Sequence, residues 1–135
     1  MKPRFAHINH VTILVSNKSA AEKFYTETLG LEAMHVGKSL WLRVGEQFIH
    51  VTESSEDAPR NFSHFCISVE NCYEYLRGLA AKGIEVFDLD TNMGKVSINS
   101  EWDKPYRQFF IHDPDGNLIE FCDATNEFFH QKKVE

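Results

Sequence analysis

The chain repeats itself, and the repeat constrains its fold more than any other feature. NHVTILVSN at 9–17 aligns with SHFCISVEN at 63–71, which brings His10 onto His64, Ile13 onto Ile67, Val15 onto Val69 and Asn17 onto Asn71. Further along, GL at 30–31 falls on GI at 83–84, and IHV at 49–51 falls on IEF at 119–121. Self-similarity on this scale reads as one supersecondary unit made twice. It makes His10 equivalent to His64, and His50 equivalent to Glu120, about a pseudo-twofold axis.

Local signals give the content of each unit. His7–Ser16 is rich in β-branched residues and reads as a strand. Asn17–Leu29 reads as a helix, with Asn17 or Ser19 as N-cap and Gly30 just past its end. Leu31–Val36, Ser39–Val44 and Gln47–Glu53 are short strands broken by Gly37 and Gly45-Glu46. The polar stretch 54–61, which contains Pro59, is the expected linker. Phe62–Val69 is then a strand, Asn71–Lys82 a helix closed by Gly83, and Ile84–Leu89, Tyr106–His112 and Asn117–Asp123 further strands. Gly94–Asn99 joins them as a further strand segment without a clear role, and 99–105 is a polar loop. The expected class is α+β: a single domain over 1–135 built from two βαβββ modules, 6–54 and 62–124, with 125–135 as a tail.

The composition is that of an ordinary folded protein, 42% hydrophobic and 25% charged. A net charge of −6 gives no electrostatic footprint for nucleic acid. No apolar run has the length of a membrane span, and MKPRFAHIN lacks the apolar core of a signal peptide. Cys66, Cys72 and Cys122 are an odd number without metal-type spacing, as expected of reduced thiols in a cytoplasmic protein.

Chemistry is concentrated in Phe109–Cys122, FFIHDPDGNLIEFC. Two apolar runs flank an Asp113-Pro114-Asp115-Gly116 turn, and the second run carries Glu120 alone among apolar neighbours. A carboxylate in such a strand is costly to bury unless it is paired or bound to a metal. Strand alternation puts Thr12 on the face of His10, Cys66 and Ser68 on that of His64, Phe48 and Thr52 on that of His50, and Leu118 and Cys122 on that of Glu120. Were these faces to converge, imidazoles and one carboxylate would line a cleft. Two His and a carboxylate suit Fe(II), and a fourth ligand suits Ni, Zn, Mn or Co. The blander reading makes the histidines hydrogen-bonded core residues and Cys66 a small buried hydrophobe.

INHVTILV, FYTETLGLE, EQFIHV, FSHFCISV and FIHDPDGNLIEF together resemble the vicinal oxygen chelate superfamily, which includes glyoxalase I, bleomycin-resistance, fosfomycin-resistance and extradiol dioxygenase proteins. The resemblance spans roughly residues 6–124. It implies strands curved into a U-shaped cleft around one divalent metal, with His10, His64 and Glu120 as ligands. His50 stands where glyoxalase I-like members place a fourth ligand, usually a glutamate, so it is a ligand or a neighbour of one. Glu120 doubles as the candidate base, and His50 joins it as a catalytic candidate. Thr12, Phe110, His112 and Cys66 are the candidate substrate contacts. Arg43, Lys95, Lys104 and Arg107 are the basic groups available for acidic substrate arms such as those of glutathione.

The resemblance favours a glyoxalase-like lyase or isomerase acting on a small oxygen-rich substrate, in a homodimer. One rival is an Fe(II) extradiol dioxygenase. Against it, Phe110 stands where those enzymes, and the fosfomycin-modifying ones, carry a tyrosine. The other rival is a metal-free binding protein of the bleomycin-resistance kind, whose members generally lack the triad.

Overall fold

The computed structural model describes residues 2–56, 62–90, 92, 94–98 and 108–124. Much of the expected linker, the 99–105 loop and the tail lie outside these residues, as do Tyr106, Arg107 and Lys104. The chain divides into two compact units, 1–58 and 59–135.

In the first unit, β1 (His10–Val15) leads to α1 (Lys18–Lys23), then β2 (Glu32–Val36), β3 (Ser39–Val44) and β4 (Gln47–Glu53). The sheet order is β1-β4-β3-β2, so the first strand lies parallel beside the last. Alternation sorts the side chains cleanly. Ile13, Val15, Leu40, Leu42, Ile49 and Val51 are buried on one face, together with Ala21, Tyr25 and Leu29 of the helical segment. The opposite face carries His10, Thr12, Trp41, Phe48 and His50.

β1 is shorter than the expected strand, because residues 7–9 are exposed and outside it. The expected helix also departs from a plain α-helix. After α1 it widens into a π-helical turn over Phe24–Thr28, closed by Leu29 N–H to Phe24 O at 3.0 Å. The buried residues Ala21, Tyr25 and Leu29 recur every four, a spacing that drifts by roughly 40° per step on an α-helix. An extra residue in the turn counters the drift and keeps Tyr25 and Leu29 inward.

The second unit runs β5 (His64–Val69), α2 (Cys72–Ala81), β6 (Phe87–Leu89), β7 (Lys95–Ser97), β8 (Phe109–His112) and β9 (Leu118–Asp123). Its order is β5-β9-β8-β6-β7, with β5 parallel to β9. It is therefore a βαβββ unit with one added edge strand, β7, inside the 94–99 segment. Ile67, Phe109, Ile111, Ile119 and Phe121 are buried with Leu76, Leu79 and Cys72 of α2. A second apolar cluster, Phe87, Phe110 and Leu118, lies on the other face.

The duplication extends to register. His10 pairs with Phe48 and Thr12 with His50; His64 pairs with Leu118 and Cys66 with Glu120. It extends to helix ends as well. Gly30 and Gly83 sit at φ +89° and +90°, and the residues after them return N–H groups to the last turn, Leu31 to Tyr25 O and Ile84 to Leu79 O. At the helix starts, the Lys18 N–H donates to Glu53 Oε2 (2.8 Å) and the Cys72 N–H to Asp123 Oδ2 (3.2 Å). Each acid ends the last strand of its unit. The Asn17 side chain adds its own cap on Ala20 N–H, whereas Asn71 takes a left-handed conformation and does not cap.

No helix among the described residues is long and apolar enough to cross a membrane. The strand-end acids give a direct test. Asp123→Ala should lower stability by about 1 kcal/mol, the usual cost of losing a helix cap. Urea denaturation reads this, and an unshifted midpoint would remove the capping role.

Candidate functional site

On the open face of the second unit two candidate residues are in direct polar contact. His64 Nε2 lies 2.8 Å from Glu120 Oε1, with the side chains only 18% and 15% exposed. On its other side, His64 Nδ1 lies 2.6 Å from the Phe62 carbonyl oxygen. A carbonyl only accepts, so Nδ1 carries a proton and the ring orientation is set. Nε2 then points at a second acceptor. The contact needs a proton or another cation between nitrogen and carboxylate oxygen. An Nδ1–H tied to a carbonyl is the usual way of presenting Nε2 to a metal.

His10 repeats the arrangement with a different partner. Its Nδ1 lies 2.9 Å from Asn9 Oδ1, so a donated hydrogen bond again leaves Nε2 as the presented atom. The His50 ring stacks on Trp41 (centroids 4.1 Å, planes 10° apart) and meets the His10 ring nearly perpendicularly at 6.2 Å. Trp41 also meets His10 edge-on at 5.0 Å. It thus packs against both candidate imidazoles, His10 and His50. Thr12 is opposite His50 in register.

Phe110 occupies in the second unit the place that Trp41 holds in the first. Trp41 pairs with His50, and Phe110 pairs with Glu120. Phe110 is completely buried and meets the His64 ring edge-on at 5.2 Å, so it supports a candidate ligand from beneath. Cys66 lies beside Glu120 on the open face. Its thiol is pushed far above the ordinary range, first by its hydrogen bond to Cys122, then by burial and the Glu120 carboxylate. The residue as a whole is exposed, so the sulfur contact counts for more than burial. A thiol held neutral is neither nucleophile nor ready metal ligand.

His112 is exposed, and its ring packs on Phe87 at 5.0 Å. The turn after it is scaffold. Asp113 is buried and accepts from Asp115 N–H, Asn117 N–H and Asn117 Nδ2 at 2.8–2.9 Å. Arg43 lies over the Phe48 ring and beside Glu32, whereas Lys95 lies over Phe87.

Among the described residues, no three His, Cys, Asp or Glu side chains are gathered into one potential metal site. Within the first unit the His10 and His50 rings are neighbours, and within the second His64 and Glu120 are paired. Sequence reasoning missed the groups behind these donors. Trp41 bears no metal donor and so carried no signal of its own, although alternation from β3 places it beside His50 once the strands pair. Asn9 had a visible signal, a side-chain amide directly before the histidine. The Phe62 carbonyl had none, since a backbone acceptor carries no residue signature.

A βαβββ unit with a histidine and a second polar group on its open face, made twice, defines a duplicated α+β protein. The chain belongs to the Glyoxalase/Bleomycin resistance protein/Dioxygenase superfamily, whose profile matches residues 7–121. Among solved structures it is similar to a protein from Bacillus anthracis described as of the glyoxalase family, with 28% identity and a TM-score of 0.71 over 90% of this chain and 97% of that one. It is also similar to the fosfomycin resistance protein FosX of Listeria monocytogenes, with 16% identity and a TM-score of 0.70 over 98% and 100%. An oxidase, ChaP-H2, is similar at 16% identity and a TM-score of 0.67 over 89% and 94%. At 16%, the last two likenesses concern fold alone. No curated protein matches the chain.

Trp41→Ala should release the His10 and His50 rings, whereas Trp41→Phe should largely hold them. Imidazole ¹H–¹⁵N spectra of metal-free protein would show this as altered chemical shifts in the alanine variant. Identical histidine spectra in both variants would rule out a positioning role for the indole.

Proposed function

We propose that the protein is a divalent-metal-dependent enzyme of the glyoxalase-like kind, acting on a small substrate with two vicinal oxygens. His10, His64 and Glu120 are the ligands, and His50 is a fourth ligand or holds one in place. The carrying observation is the His64–Glu120 pair: a largely shielded imidazole, fixed at Nδ1 by a carbonyl, aims Nε2 at a carboxylate. The Asn9 contact gives His10 the same presentation. The donor set, imidazole nitrogen with carboxylate oxygen, suits Ni, Zn, Fe, Mn or Co. Such an ion supplies a Lewis acid that orients and polarises the substrate oxygens.

The protein's own groups supply the remaining chemistry. Glu120 would take the proton from the carbinol carbon of an α-hydroxycarbonyl and return it to the carbonyl carbon, while the hydroxyl proton passes to the former carbonyl oxygen, which isomerises the substrate. His64, tied to the Phe62 carbonyl, keeps the carboxylate in one orientation through the contact at its Oε1. Phe110, buried beneath them, excludes water and has no hydroxyl with which to donate a proton. That favours proton transfer between carbons over the chemistry of relatives with a tyrosine at this position.

The test is metal stoichiometry. Purified protein should hold one divalent ion per proposed site, removable by a chelator. His10→Ala and Glu120→Ala should lose it while retaining the wild-type circular dichroism. Elemental analysis that finds equal metal in wild type and both variants would sink the ligand assignment.

A further inference from the structure

A recess on the open face of the second unit is left unused by the proton-transfer chemistry. It encloses about 800 Å³, within the range that holds a small organic molecule. Phe62, Phe87, Leu89 and Leu118 make its apolar lining, and the 113–116 turn forms its rim. Phe87 and Leu118 belong to the buried cluster with Phe110, so this lining is rigid packing.

The described lining offers one ammonium, with the His112 imidazole beside the 113–116 turn and Asp113 and Asp115 in it. That ammonium belongs to Lys95, with Nζ held 4.7 Å over the centre of the Phe87 ring. The counter-ion of Lys95 is Glu85 at 3.6 Å, in a pair whose side chains are 46% and 61% exposed. Exposed pairs of this kind are weak, so a ligand anion can take Glu85's place. Among the described lining residues Lys95 is the sole lysine or arginine. Of the two rim acids, Asp113 is already committed to the turn. The recess also shares walls with the candidate metal-binding pair. The Phe62 ring lies 4.8 Å from that of His64, and Leu118 is opposite His64 in register, two residues before Glu120.

We propose that this recess seats the substrate's body, and that the substrate is an apolar monoacid: an aryl or branched-alkyl group with one acid function, which pairs with Lys95. A single ammonium in an apolar lining fits one acid group better than the two of glutathione. The orientation of the substrate's oxygens towards His64 and Glu120 rests on the proposed metal-binding role of that pair; occupancy of the recess does not.

Metal-free protein with ¹³C-labelled leucine methyls, titrated with 3-phenylpropionate, provides the test. The acid should shift Leu89 and Leu118, and propionate, without the ring, should bind at least roughly tenfold more weakly. Lys95→Gln, at an exposed position, should weaken the acid by roughly threefold to tenfold and leave 3-phenylpropanol unchanged. Leu89→Trp should fill the recess and abolish both. Unmoved Leu89 and Leu118, equal losses of acid and alcohol in Lys95→Gln, or tighter binding of glutathione than of phenylpropionate would each overturn the proposal. His64→Ala protein that loses metal but still binds phenylpropionate keeps the two readings separate. Failure of the acid to bind protein that does hold metal removes only the substrate class.

Discussion

Parallel pairing of the first strand with the last, in each unit, carries the remaining organisation. It sets Thr12 opposite His50 and Cys66 opposite Glu120, so a donor on the last strand lies one step diagonally from the histidine that begins the first. A parallel pair needs a crossover, and the helical segment supplies it while covering one face of the sheet. That coverage decides which alternate residues are core. The donors are on the open face because their neighbours in sequence, Ile49, Val51, Ile119 and Phe121, are committed to the helix side.

On the open faces, ring orientation matters as much as the presence of a donor. A neutral imidazole presents one lone pair, and the hydrogen bond at the other nitrogen decides which. Asn9 and the Phe62 carbonyl make that choice in the two units by different chemistry and with the same outcome. Aromatic side chains at matched register positions, Trp41 and Phe110, then fill the space beside the rings. The adjacent thiols stay out of this arrangement, since the contact with Cys122 and the carboxylate nearby keep Cys66 protonated.

Where a feature rests on side-chain pattern, the sequence carried it. The internal repeat identified equivalent strands and the helix-ending glycines, the resemblance of five segments pointed to the superfamily, and period-two alternation put Thr12, His50, Cys66 and Glu120 on the open faces. Features set by backbone conformation were hidden. The π-helical turn arises from a drift that becomes a problem only once Tyr25 and Leu29 must face one sheet. β7, three residues long, was legible as a strand segment but not as an edge added to the repeat. The recess depends on the gap between Phe62, Leu89 and the 113–116 turn, three separate parts of the sequence. The helix caps were legible in retrospect, because Glu53 and Asp123 occupy equivalent positions after IHV and IEF. Their partners became visible only when the parallel strands were paired.

Those caps have a kinetic consequence. Glu53 reaches the start of α1 across 35 positions of chain, and Asp123 reaches α2 across 51. Neither helix receives this carboxylate until the last strand of its unit has docked. Lengthening such a loop adds little, since closure entropy grows only with the logarithm of length, but closure itself must come first. The helix starts are therefore completed late, and each unit gains its final local stability by a long-range event. Folding of this kind rewards the whole unit over its fragments: a helix excised from either half would lack the acid that finishes it.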